Sequence, residues 1–90
     1  MYSLLEHKKV VKALCKSPLE VQRSYLAWKR IVEFEGPPGL REIKGFHDEA
    51  LKGEWFGFRS SRLTLKWRVI YKIDKESYIV YVIEVNPHRY

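Results

Sequence analysis

Apolar and polar positions change their spacing along the chain, and each spacing predicts an element. Tyr2 to Leu5 is a short apolar run that predicts a first strand, and His7 to Lys16 sets Val10, Val11 and Leu14 at helical spacing among lysines. Ser17-Pro18-Leu19-Glu20 supplies a hydroxyl, a proline at the first helical position and a glutamate at the third, the elements of a capping box, so Ser17 is expected to cap a second helix. Leu19, Val21, Tyr25, Trp28, Ile31 and Val32 recur at helical intervals until Gly36-Pro37-Pro38-Gly39 stops the pattern. An aromatic stripe of this kind predicts packing against a sheet, not base binding.

Leu40 to Gly53 has weak periodicity and carries Lys44, His47, Asp48, Glu49 and Lys52, which predicts an irregular polar segment of the kind that often carries function. From Leu63 to Ile73 the period becomes two. Residues 63, 65, 67, 69, 71 and 73 are apolar, while 62, 64, 66, 68 and 72 are Arg, Thr, Lys, Arg and Lys, with only Ile70 interrupting the polar face. Periodicity alone therefore predicts one continuous strand over 62–73 with a core face and a basic face. Asp74-Lys75-Glu76-Ser77 is turn-like, Tyr78 to Val85 predicts a well-buried strand, and Asn86-Pro87 ends it, because proline cannot donate to a ladder. The expected class is α+β: two N-terminal helices packed on a small, mainly antiparallel sheet, in a single domain spanning residues 1–90.

Composition narrows the partners. A formal charge of +6, from 17 Lys and Arg against 11 Asp and Glu, favours polyanions such as nucleic acid or an acidic protein. Cys15 is the sole cysteine, so no intrachain disulfide forms, no Cys/His spacing suggests a zinc site, and a reducing cytosol fits best. No apolar run approaches the roughly 20 residues of a membrane span, and Met1-Tyr2-Ser3 leads straight into amphipathic sequence, so a cytoplasmic protein is expected.

Leu51-Lys52-Gly53-Glu54-Trp55, then Gly57-Phe58-Arg59-Ser60-Ser61-Arg62-Leu63, Trp67-Arg68-Val69-Ile70-Tyr71 and the ending His88-Arg89-Tyr90 resemble the RelE/ParE toxin superfamily over most of the chain. Within it the likeness is greatest to the RelE, YoeB and YafQ toxins of type II toxin-antitoxin modules, which cut messenger RNA on the ribosome. The resemblance implies a RelE-like fold, a cognate antitoxin as partner, no cofactor, and a tight hairpin near Leu65-Lys66 in place of the continuous strand. It matches Arg68 to an arginine set against the scissile phosphate and Arg62 to a position that relatives fill with a basic or imidazole side chain. Glu49 falls near a glutamate or histidine of the family's catalytic set, and His88 and Tyr90 match its terminal histidine and aromatic residue. Lys66 stands where one branch has an aspartate. Arg89, between His88 and Tyr90, departs from the YoeB-like His-Tyr ending.

The chemistry is consistent with these residues. RNA carries its own nucleophile, the 2′-hydroxyl, so cleavage needs a base there, charge stabilisation at phosphorus and a proton for the leaving 5′-oxygen, and no metal. Glu49 or His88 is the candidate base and the other the acid. Arg68 and Arg62 would stabilise the developing charge, Tyr90 would stack on a base or hold the substrate, and Arg59, Lys52, Lys66 and Arg89 would contact RNA phosphates. Two alternatives stand beside this reading: a non-enzymatic, ParE-like inhibitor of DNA gyrase on the same fold, and a catalytically decayed module that only binds RNA or an antitoxin.

Overall fold

His7 begins the first helix by accepting the Lys9 backbone N–H on its Nδ1 at 3.1 Å, a side-chain cap on an otherwise orphaned donor. A computed structural model describes residues 1–87. In chain order it contains β1 (Ser3–Glu6), α1 (Lys8–Lys16), α2 (Leu19–Glu35), the one-turn α3 (Pro38–Arg41), the two-residue β2 (Glu49–Ala50), β3 (Arg59–Arg62), β4 (Arg68–Asp74) and β5 (Ile79–Asn86). The sheet order is β1-β5-β4-β3-β2; β1 runs parallel to β5 and every other pairing is antiparallel. The class is α+β, with helices packed on a mainly antiparallel sheet as expected.

The capping box over Ser17 does not form. Ser17 ends α1 instead: its hydroxyl donates to the Leu14 carbonyl at 2.7 Å and its backbone N–H to the same oxygen at 3.1 Å. A serine between two abutting helices can close the first or open the second, and here the last carbonyls of α1 take it. Pro18 holds the cap position of α2 without a side-chain bond, while Gln22 Nε2 reaches back to the Ser17 carbonyl at 3.1 Å.

The stripe on α2 is core. Val21, Tyr25, Trp28 and Val32 are buried against Val69, Tyr71, Val80, Val82 and Val85 of the sheet, whereas Leu19 remains exposed. Gly36 ends α2 at φ +80°, where a Cβ would lie 2.9 Å from the Tyr2 ring, so both the backbone and the space demand glycine.

The strand predicted over 62–73 is a hairpin. Leu63 N–H donates to the Trp67 carbonyl at 2.8 Å, and the Trp67 N–H is taken by Thr64 Oγ1 at 3.2 Å. This closes a turn that leaves Leu65 almost fully exposed. The turn after β4 is built on Asp74, whose Oδ1 accepts the Glu76 and Ser77 backbone N–H groups.

β5 carries a bulge. Ile70 pairs with Glu84 but Tyr71 with Val82, leaving Ile83 as an extra residue. Val80 and Val82 point to the core before it, and Val85 after it. The bulge therefore turns Glu84 and Asn86 to the face away from the helices. No helix among the described residues is long and apolar enough to cross a membrane.

Candidate functional site

β3 and β4 set Arg62 and Arg68 directly opposite each other on the helix-free face. Like charges across a strand pair disfavour each other. Among the described residues neither arginine forms an ion pair with a carboxylate. Arg62 Nε is also buried without a hydrogen-bond partner, as is Oγ of Ser60 beside it, and an orphaned buried donor costs about 1–3 kcal/mol. Two half-buried guanidiniums on one face, one with an unused donor, are a candidate seat for an anion, and a phosphate matches the fork geometry of a guanidinium. Arg62→Glu, which would place opposite charges in register, is expected to raise the unfolding free energy by about 0.2–1 kcal/mol in urea titration. A loss of stability instead would mean that Arg62 has a structural role.

The bulge brings Asn86 opposite Arg68 and Glu84, two residues before it on the same face, opposite Ile70. The Glu84 carboxylate is already engaged: Lys9 Nζ lies 2.8 Å from Oε1, and Asn86 Nδ2 donates to Oε2 at 2.6 Å. The acid nearest the arginines along β5 is thereby held by a cation from α1.

Glu49 lies across from Ser60 on β2, on the same face as Arg62. Two inter-strand spacings, about 10 Å, separate β2 from β4, a gap a substrate phosphate and ribose would span. Glu49 is half-exposed, and its Oε2 lies 3.7 Å from His47 Nε2, not beside Lys44 or Lys52. Between these two residues Asp48 turns inward, and sequence reasoning missed it. Its side chain is fully buried and accepts from Arg59 Nε at 3.0 Å, Arg59 Nη2 at 2.7 Å, Ser61 Oγ at 2.7 Å and the Tyr71 hydroxyl. Ser61 in turn accepts from Trp28 Nε1 at 2.9 Å. One carboxylate thus ties the Glu49 segment to β3, β4 and α2.

Titration within this network follows the same geometry. Burial pushes the Tyr71 hydroxyl well above the usual tyrosine range, the Asp48 charge and hydrogen bond add to it, and Arg59 opposes. Burial alone would lower Arg59, but the hydrogen bond and charge of Asp48 more than reverse this, so it stays charged. Arg59, a candidate contact for RNA phosphates, lies on the helix side and is bound to Asp48.

Lys66 is exposed in the β3–β4 turn, at the arginine end of the sheet, while Lys52 is exposed at the other end, next to the Leu51 N–H bond to the Phe58 carbonyl. His88, Arg89 and Tyr90 lie outside the described residues. Among those described, no three His, Cys, Asp or Glu side chains converge to hold a metal ion. The face unites a candidate acid or base, Glu49, with a candidate anion seat of two arginines.

No family model matches the sequence, and no curated protein does. Solved structures do match. A chain of the archaeal RelE–RelB complex from Pyrococcus horikoshii is 30% identical, covering 96% of this chain and 93% of its own, with a TM-score of 0.75. YafQ from Escherichia coli shares the fold at 13% identity, with coverage of 98% and 94% and a TM-score of 0.76. So does a chain of the YoeB–YefM complex from Staphylococcus aureus, at 12% identity, 99% coverage of both chains and a TM-score of 0.74.

Proposed function

Because this chain belongs to the RelE/ParE toxin superfamily, we propose that it is the toxin of a type II toxin-antitoxin module and a ribosome-dependent messenger-RNA endoribonuclease. The observation that carries the reading is the Arg62–Arg68 pair, cationic, half-buried and without a carboxylate partner among the described residues. The scissile phosphate lies against these guanidiniums, which donate to its non-bridging oxygens as negative charge builds. The adjacent 2′-hydroxyl attacks phosphorus, and the 5′-oxygen leaves with a proton. Glu49 and His88 divide the base and acid roles between them, and Tyr90 holds the substrate.

Lys66, Lys52 and Arg89 add sequence-independent contacts to messenger or ribosomal phosphates. The RelE–RelB and YoeB–YefM complexes support a cognate antitoxin as the protein partner, one that neutralises the basic face. Translating ribosomes place the action in the cytoplasm.

The test is direct. Purified protein added to ribosomes programmed with a defined messenger should yield new 3′ ends mapped by primer extension. Intact messenger, with loss of DNA supercoiling by gyrase in a parallel reaction, would instead make the protein a gyrase inhibitor.

A further inference from the structure

Beyond the arginine pair, the same face of the sheet carries a second feature. A hollow of about 670 Å³ lies near the β4–β5 turn, lined by Phe58, Lys72, Tyr81 and Ile83 together with Asp74, Lys75 and Glu76. Lys72 and Tyr81 are register partners, and the Lys72 ammonium stands 5.6 Å from the centre of the Phe58 ring. The bulge contributes here too, since its extra residue, Ile83, forms part of the lining.

We propose that this hollow is a nucleobase subsite, in which an unpaired base of the bound RNA stacks on Tyr81 and Phe58 while its phosphate chain continues to Arg62 and Arg68. The proposal rests on RNA being the substrate.

Geometry supports this occupant. Lys72 follows Arg68 by four residues on one strand, so the hollow sits about 13–14 Å from the arginines along the same face, within reach of the next nucleotides of an extended strand. The linings differ in kind. The arginines offer donors and no ring, which suits phosphate. The hollow offers two aromatic side chains and an aliphatic wall, and its two carboxylates offset Lys72 and Lys75, so it carries no net charge to hold a phosphate. Asp74 is besides bound to the backbone of its own turn. Aromatic rings beside a cation are the usual platform for single-stranded bases, and stacking tolerates any base.

The test uses the full chain and two fluorescent oligonucleotides of equal length, both 2′-O-methylated to block cleavage, one bearing bases and one abasic throughout. In fluorescence anisotropy, Tyr81→Ala should weaken binding to the base-bearing strand about tenfold and leave the abasic strand unaffected. Tyr81→Phe, which keeps the ring, should bind both like the parent protein. Arg68→Ala should weaken both strands. Unchanged binding of the base-bearing strand by Tyr81→Ala would overturn the subsite, as would equal weakening of both strands or no binding of either by the parent protein. The substrate reading is decided separately by messenger cleavage on ribosomes, so a cleaving protein whose Tyr81→Ala variant binds normally refutes the subsite alone.

Discussion

Arg68→Ala is expected to slow messenger cleavage on programmed ribosomes by about 10²–10³-fold while leaving the fold intact. The effect is large because in the proposed mechanism the guanidinium donates where negative charge builds up, from a half-buried position beside Arg62. The fold should survive because Arg68 forms no ion pair with a carboxylate among the described residues, and its removal relieves repulsion across the strand pair. Arg68→Lys keeps the charge but loses the planar fork, so it should recover only part of the rate. Single-turnover cleavage and a far-ultraviolet circular dichroism melt measure the two sides. A variant that cleaves at the parent rate would remove Arg68 from the mechanism, and one that melts early would give it a structural role.

Asp48→Ala is expected to have the opposite profile, with a loss of stability of about 3 kcal/mol, the lower end of what breaking a buried ion pair costs. The lower end applies because the Arg59 side chain retains 21% exposure while Asp48 has none. The variant would strand the Arg59 charge and leave the donors of Ser61 and Tyr71 without their acceptor. In a domain whose whole stability is about 5–15 kcal/mol, this lowers the melting temperature by about 12 °C or more. Asp48→Ala combined with Arg59→Met should recover part of the loss, since removing both charges spares the stranded cation. Urea titration of the three proteins decides it. A single-variant loss below about 1 kcal/mol would mean the network is not a structural tie.

The two variants separate what the sequence displays from what it conceals. Arg62 and Arg68 are visible because a basic face on an apolar-alternating segment is a one-dimensional pattern. The hairpin between them is not. Leu63, Leu65 and Trp67 keep the parity of Val69, Tyr71 and Ile73, and the turn is closed by Thr64 Oγ1 and not by a glycine or asparagine. Only the family resemblance placed a turn there. Asp48 is concealed more deeply. It stands in a polar stretch where a carboxylate looks solvated, and its partners lie 11, 13 and 23 residues further along, so nothing local marks it as buried. Ser17 shows a third kind of difficulty: its hydroxyl suited the end of one helix and the start of the next, and the choice depended on how the helices abut. The α2 stripe was legible because helical spacing and burial coincide in it, except at Leu19.

The spare residue in β5 has a consequence for how this protein tolerates change in length. In a regular strand, losing one residue exchanges the two faces for everything downstream. Ile83 is already outside the ladder, so its deletion would leave Val85 inward and Glu84 and Asn86 outward. Asn86 would stay opposite Arg68; what would change is the local bend and added twist that a bulge imposes on its strand. The bulge is therefore a position where β5 can lose one residue without inverting or displacing the chemistry it carries.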